Sequence, residues 1–247
     1  MGRQPRGVSE SGFYHVVVRG AGRQLLFEGV SDRFAFLRFM RDHCRAWKVG
    51  VIAWCLMDNH VHLLLEDTAF VLSRVMHRVL VCYAQRFNRR SGHVGPVFQE
   101  RFRSFPIEGE AYLLEVVRYI HNNPEQAGMG SAETYPWSSY QEYCGGRMPE
   151  FTDTSPVLEM LGGVTGFTSF MARESDCPYS PGINRATSEG ELVREAGRLI
   201  GTVKLAEIRS LPKKRRDRMV RCLKDHGMSI RQIERLTGIG RGIIARA

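Results

Sequence analysis

Two periods of hydrophobic spacing alternate along the first half of the chain. Stretches rich in β-branched and aromatic residues predict strands over residues 13–20, 49–55 and 60–66, and a strand or hairpin over residues 94–107. Apolar residues at helical spacing predict helices over residues 32–47, 70–88 and 110–123, with Pro124 stopping the last of them. The alternation predicts an α+β fold, in which helices pack on an antiparallel sheet.

The second half of the chain has a different pattern. Residues 145–190 are rich in Gly, Pro, Ser and Thr, which predicts a loosely structured linker with one short helix near residues 156–161. Residues 228–241 form a helix with an apolar stripe, a turn at Gly238 and a second helix, a pattern that resembles a helix-turn-helix. We therefore predict a domain over residues 1–145, a linker over 146–188 and a small all-α, DNA-binding tail over 189–247.

Composition narrows the class of protein. Hydrophobic residues make up 43% of the chain and charged residues 25%, which is typical of a globular protein and excludes wholesale disorder. No apolar run reaches the length of a membrane span, and the N-terminus lacks a signal-like apolar core, so we expect a cytoplasmic, nucleoid-associated protein without a membrane partner. Six scattered cysteines without a CxxC pair predict reduced thiols.

Charge is unevenly distributed along the chain. Residues 1–107 hold 16 Lys and Arg against 8 Asp and Glu, residues 108–184 hold 3 against 11, and residues 185–247 hold 16 against 7. Two basic regions favour a nucleic acid partner. The candidate phosphate-binding residues are Arg86, Arg89, Arg90, Arg101 and Arg103 in the first region, and Lys213, Lys214, Arg215, Arg216 and Arg241 in the second. Neighbouring phenylalanines would stack on unpaired bases, or would instead be buried behind a solvated basic rim.

The pair His60 and His62 is a candidate half of a metal site. Positions two apart on a strand project from the same face, so both imidazoles would point the same way. Two hydrogen-bonded surface histidines would give the same pattern, and a metal needs a further ligand. In the helix over residues 110–123, Tyr119 and Asn123 share one face with Tyr112, although a tyrosine at the core edge and a capping asparagine fit this spacing as well.

Four motifs in order carry a resemblance to a known family. They are YHVVVRG at residues 14–20, MDNHVHL at 57–63, RYIHNNP at 118–124 and WSSY at 137–140. Together they resemble the REP-associated tyrosine transposases, which belong to the HUH single-strand nucleases with one catalytic tyrosine. The likeness spans about residues 7–145. Gly-Ala-Gly at residues 20–22 departs from the Asn-rich turn expected there.

The resemblance implies an HUH nuclease-like fold and a set of site residues. His60, His62 and Asn123 would hold a divalent metal, Mg²⁺ or Mn²⁺. Tyr119 would attack a phosphodiester in single-stranded DNA, leaving a 5′-phosphotyrosine link and a free 3′-hydroxyl. Tyr112 is the rival nucleophile, but it lies about three turns, ~16 Å along the axis, before Asn123 of the metal site. His121 is a further candidate for proton transfer, about 200° around the helix from Tyr119, where contact with solvent or DNA is expected.

These inferences predict a metal-dependent enzyme that nicks and rejoins DNA, and the resemblance implies short palindromic, hairpin-forming repeats as its target. Two alternatives from other classes stay open: a non-catalytic, sequence-specific DNA-binding regulator in which the His pair is structural, and an RNA-binding protein that uses the same basic and aromatic surface. The sequence leaves the oligomeric state open between a monomer and a homodimer.

Overall fold

The computed structural model describes residues 7–175, 179, 189–201, 204–225, 228 and 230–247. The chain divides into two compact units, Met1–Arg173 and Glu174–Ala247. The boundary between the units therefore falls inside the segment predicted as a linker. None of the helices in the described part of the chain has the length and apolar character needed to cross a membrane.

An antiparallel sheet forms the centre of the first unit. Within its described residues the sheet has four strands, β1 (Phe13–Arg19), β2 (Gly50–Leu56), β3 (His60–Glu66) and β4 (Arg103–Ile107), in the order β2-β3-β1-β4. All neighbouring strands are antiparallel. In the register of β1 and β3, Val17 lies opposite His62 and Arg19 lies opposite His60. The predicted antiparallel sheet is confirmed.

Helices cover both faces of this sheet, as the α+β prediction requires. Helices α1 (Val30–Trp47) and α2 (Leu72–Ser91) pack on each other and share one hydrophobic core with Val16 of β1 and Leu63 of β3. Helix α3 (Glu110–Gln126) packs on β2 and β3. Because strand side chains alternate between faces, the residues between the core positions, including His15 and His62, lie on the α3 side.

Two predicted boundaries are wrong. Helix α3 contains Pro124 in its last turn and continues to Gln126, since a proline this near the end removes only one helical hydrogen bond. The N–H of Ala127 still donates to the carbonyl of Asn123 at 3.0 Å. The segment over residues 94–107 becomes a strand only in β4, because Gly95 has a positive φ of 131° and Pro96 has no N–H to donate.

The chain after α3 is more ordered than a linker. Helices α4 (Tyr140–Tyr143), α5 (Ser155–Leu161) and α6 (Val164–Ala172) follow in turn, and only α5 matches the predicted short helix. The ring of Phe167 in α6 is fully buried and stacks on Tyr143 with centroids 4.7 Å apart. Gly162 and Gly163, both at positive φ, connect α5 to α6, so the glycines that suggested a loose segment instead form a tight turn.

The second unit is helical, as predicted. It contains α7 (Glu189–Ile200), a 3₁₀ turn at Leu205–Ser210, α8 (Lys213–Asp225), α9 (Ile230–Thr237) and α10 (Arg241–Arg246). Ile208, Leu223, Ile233 and Ile244 lie in its hydrophobic core. Gly238, at a φ of 69°, separates α9 from α10.

One expectation about thiols is wrong. Cys44, Cys55, Cys82 and Cys144 are free, but Cys222 is disulfide-bonded. Pairing depends on the distance between two cysteines in the folded chain, so scattered positions without a CxxC motif do not exclude it.

Candidate active site

Three imidazoles meet on the α3 side of the sheet. His15 comes from β1, and His60 and His62 come from β3. The ring centroids of His60 and His62 are 4.9 Å apart with planes at 88°, and those of His15 and His62 are 5.2 Å apart with planes at 16°. His15 and His62 are buried, with exposed fractions of 0% and 3%. The H-x-H pair therefore lies in a protected site that also contains a third histidine, for which the sequence analysis assigned no role.

Helix α3 brings Tyr119 and Asn123 to these imidazoles. The ring of Tyr119 meets the ring of His62 edge-on, with centroids 5.3 Å apart and planes at 90°, and lies 5.8 Å from the ring of His15. One turn later, the buried side chain of Asn123 lies close enough to His60 to raise the pKa of this imidazole. The four-residue spacing thus places both side chains on the helix face that covers the His pair.

Each imidazole of the pair has a polar neighbour at its Nδ1 atom. In His60 this atom lies 2.7 Å from Oδ1 of Asn59, and in His62 it lies 3.0 Å from Nε2 of His15. With both Nδ1 atoms engaged in this way, Nε2 is the ring atom of each histidine through which a metal would be bound.

Burial keeps the pair in the neutral form that binds metals. Burial and then the positive charge of Arg19 lower the pKa of His60 to about 4, while the nearby side chain of Asn123 acts in the opposite direction. Burial, followed by the charges of His15, His60 and Arg19, holds the pKa of His62 well below its ordinary value. Both rings are therefore neutral at pH 7 and can use a nitrogen lone pair as a ligand.

The residues fit the divalent metal that the resemblance implies. Nδ2 of Asn123 donates to the carbonyl of Tyr119 at 2.7 Å, which leaves its Oδ1 as the amide atom available to the site. Although three imidazoles meet here, the described residues contain no group of three His, Cys, Asp or Glu side chains that could by itself hold a metal ion. A metal at this position would therefore need the amide oxygen beside the two imidazole nitrogens, a mixed donor set compatible with Mg²⁺ or Mn²⁺.

Two residues considered in the sequence analysis lie away from this cluster. Tyr112 is buried two turns earlier in α3. His121 is fully buried, its Nε2 lies 2.8 Å from Oγ of Ser139, and its ring contacts Tyr143 and Phe167 edge-on. The expected contact of His121 with solvent or DNA is therefore wrong, because α4 and α6 cover this side of α3.

Arg19 lies close enough to the His pair for its charge to act on both imidazoles, and the sequence analysis did not place it in the site. It lies opposite His60 in the strand register, is exposed, and lowers the pKa of both His60 and His62 through its charge. Only the pairing register of β1 with β3 brings this cation to the site, so sequence spacing carried no signal for it.

The predicted phosphate-binding arginines of the first unit differ in their surroundings. Arg90 forms ion pairs of 2.7 Å with Asp32 and Glu28 and has a structural partner. Arg103 lies 3.8 Å from Glu100, and the exposed Arg89 donates to the carbonyl of Gln85 in the preceding turn. Arg86 is half-buried and reaches the carbonyl of Ser31 at 3.5 Å, whereas Arg101 is exposed.

A cavity of about 740 Å³ borders Arg101, Arg74, Arg78 and the ring of Trp47. The guanidinium of Arg74 lies 5.9 Å from the centre of the Trp47 ring. Within the described parts of the chain, none of these three arginines is within ion-pair distance of a carboxylate. The sequence analysis missed Arg74 and Arg78, whose four-residue spacing on the exposed face of α2 was the available signal.

In the second unit, the predicted phosphate-binding cations at the start of α8 are accessible to solvent. Lys213, Lys214 and Arg215 are exposed. Arg216 is paired with Asp217 at 2.8 Å, and Arg241 is paired with Glu234 at 2.6 Å. Phosphate binding by the last two would compete with these ion pairs.

The first half of the chain is similar to transposases. Residues 9–123 match the family model of the IS200-like transposases, a span that contains all three histidines, Tyr119 and Asn123. This span covers just under half of the chain, and through it the prediction of a tyrosine transposase enzyme is confirmed. Among curated proteins, none matches the sequence at a significant level.

One solved structure shares the fold of this chain. The chain is similar to a REP-associated tyrosine transposase bound to a REP hairpin, with a TM-score of 0.53 and 16% identity over 76% of this chain and 100% of that one. It also matches a candidate transposase from Deinococcus radiodurans R1, with 20% identity, a TM-score of 0.34, and coverage of 53% of this chain and 99% of that one. The first likeness confirms the predicted α+β fold.

Proposed function

We propose that this transposase cuts and rejoins single-stranded DNA through a covalent link to Tyr119. The observation that carries the proposal is the edge-on contact of Tyr119 with His62, at 5.3 Å between ring centroids. This contact places the phenol of Tyr119 in the same protected site as the neutral imidazoles of His60 and His62 and the amide oxygen of Asn123. No such cluster is needed by a regulator that only binds DNA.

The chemistry follows from the residues of the site. Oη of Tyr119 gives up its proton and attacks the phosphorus, the bond from phosphorus to the 3′-oxygen breaks, and that oxygen takes up a proton, so the number of protons is unchanged. A phenol with an ordinary pKa of about 10 is a poor nucleophile at pH 7. A divalent metal bound by His60, His62 and Asn123 would supply the Lewis acid that polarises the phosphate and stabilises the departing oxygen. Arg19, beside His60, would hold a non-bridging phosphate oxygen.

The link formed is a 5′-phosphotyrosine. Attack of another 3′-hydroxyl on the same phosphorus breaks the bond to Tyr119 and restores a phosphodiester. The number of phosphoester bonds is unchanged throughout, so strand joining needs no nucleotide cofactor. This reversibility is what separates strand transfer from simple hydrolysis.

The basic surfaces of the protein indicate which kind of DNA it would bind. We assign unpaired nucleotides to the cavity beside Trp47, because exposed arginines can bind phosphates and an aromatic ring can stack on a base, worth about 1–3 kcal/mol per base. The helical tail, through Lys213–Arg215, would add phosphate contacts. The solved relative is bound to a REP hairpin, which supports a hairpin with single-stranded flanks as the substrate.

The test is covalent capture of a labelled hairpin oligonucleotide with single-stranded flanks. The wild type with Mn²⁺ should form a protein–DNA adduct that survives denaturation, and a chelator should abolish it. Tyr119→Phe should form none, whereas the matched variant Tyr112→Phe should keep the adduct. Undiminished adduct in Tyr119→Phe would overturn the assignment, and hairpin binding without any adduct in the wild type would favour the DNA-binding regulator.

A further inference from the structure

We propose that His15 is a positioning residue, which fixes the tautomer and the ring orientation of His62 so that Nε2 of His62 faces the metal. This inference rests on the proposed function, because it concerns the same metal site. His15 itself would contact neither the metal nor the DNA.

The geometry begins with the pairing of β1 and β3. His15 pairs with Leu64 across the ladder, and His62 is two residues from Leu64, so the two histidines are diagonal neighbours on one face. Nε2 of His15 lies 3.0 Å from Nδ1 of His62, and the ring planes are inclined by 16°. Both rings are buried, with exposed fractions of 0% and 3%, so solvent does not replace this contact.

The tautomer of His62 decides whether it can bind a metal. A neutral imidazole has one N–H and one nitrogen lone pair. If Nδ1 of His62 donates to His15, Nε2 of His62 carries the lone pair and can bind; if His15 donates, that Nε2 carries the hydrogen and cannot. An acceptor placed at Nδ1 of a ligating histidine therefore prepares it for metal.

His60 has the equivalent arrangement with a simpler partner. Its Nδ1 lies 2.7 Å from Oδ1 of Asn59, and an amide oxygen only accepts hydrogen bonds. His60 must then be the donor, with Nε2 available as a ligand. Both histidines of the H-x-H pair thus have a hydrogen-bond acceptor at Nδ1. Asn59, which directly precedes β3, supplies the acceptor for His60, and His15 of the neighbouring strand β1 supplies the acceptor for His62.

The test compares two replacements of His15. His15→Phe keeps an aromatic ring but removes the acceptor, whereas the amide oxygen of His15→Gln reaches the position of Nε2. In the metal-free protein, long-range ¹H–¹⁵N spectra report the tautomer of His62, and titration with Mn²⁺ reports affinity. We expect His15→Phe to lose the Nδ1–H tautomer and to weaken Mn²⁺ binding about 10–100-fold, and His15→Gln to recover most of both.

The matched control is His121→Phe, the same exchange at another fully buried imidazole, which should leave Mn²⁺ affinity unchanged. Should His15→Phe fail to fold, His15→Asn is the second variant, because its shorter amide does not reach His62. Wild-type tautomer and affinity in a folded variant without the acceptor would overturn the proposal, as would equal losses in the Gln and Phe variants. Neither readout uses DNA, so failure of the Tyr119 adduct in the wild type would be a separate result.

Discussion

Acidification is expected to destabilise the first unit, because its buried imidazoles resist protonation. Burial lowers the pKa of His121 to about 3, that of His15 to about 3, and that of His60 to about 4. In the unfolded chain each has a pKa of about 6.5. Below pH 6.5 the unfolded chain takes up protons that the folded unit does not, so the free energy of unfolding falls with pH.

The contribution of one residue follows from these values. For His121, a pKa of about 3 when folded and about 6.5 when unfolded gives a loss of about 2.5 kcal/mol between pH 7 and pH 4.5, with a slope that approaches about 1.4 kcal/mol per pH unit. His121→Gln keeps a hydrogen-bonding group near Oγ of Ser139 but cannot titrate. The variant should therefore lose about 2.5 kcal/mol less than the wild type over this range.

Denaturant unfolding followed by tryptophan fluorescence measures this difference. All three tryptophans, Trp47, Trp54 and Trp137, lie in the first unit, so the signal reports that unit. The measurement is made without added metal, because metal binding is itself linked to pH. His77→Gln, at an exposed position of α2, is the matched control and should follow the wild type. Equal pH slopes for His121→Gln and the wild type would refute the reasoning.

Three further predictions concern charge. Arg90→Ala should lower the free energy of unfolding by about 2–4 kcal/mol, because it leaves the buried Asp32 unpaired. Arg89→Ala should change this free energy by no more than about 0.5 kcal/mol and should weaken DNA binding instead. Urea unfolding measures the first effect and DNA titration the second. Replacing the cations of residues 213–215 with Gln should flatten the plot of log affinity against log salt by ~0.7–0.9 for each phosphate that the tail no longer neutralises, and an unchanged slope would exclude this surface. Since the pKa of His60 is about 4, Mn²⁺ binding should persist below pH 6 and fail near pH 4, which a titration series checks.

The parts of the fold that depend on local periodicity could be predicted from the sequence. Period-two alternation in residues 60–66 places His60 and His62 on one face, and four-residue spacing in α3 aligns Tyr119 with Asn123. Both inferences use only neighbours in the chain. The structure agrees with both inferences. It also shows that the face of β3 with His60 and His62 contacts the face of α3 with Tyr119 and Asn123.

The features that the sequence analysis missed depend on contacts between distant segments. His15 lies in an apolar strand, and the sequence pattern does not distinguish a single histidine there from a buried core residue. Only the pairing of β1 with β3 shows that it is next to His62. The rings of Phe167 and His121 are in contact because α6 folds back on α3. The Gly-rich composition of residues 145–190 predicted a loose segment and gave no indication of this contact. In the sequence, Arg89 and Arg90 are equivalent candidates for phosphate binding. The packing of α2 on α1 gives Arg90 a structural ion pair with Asp32 instead.

The central claim is that Tyr119 becomes covalently attached to DNA, and mass spectrometry of the protease-digested adduct tests it most directly. A hairpin oligonucleotide with single-stranded flanks is incubated with the wild type and Mn²⁺, and the linked peptide is sequenced. We predict one modified peptide, with the 5′-phosphate of the downstream strand esterified to Oη of Tyr119 and a matching free 3′-hydroxyl on the other fragment. Attachment at Tyr112 or at any other residue, or cleaved DNA without a linked peptide, would contradict this claim.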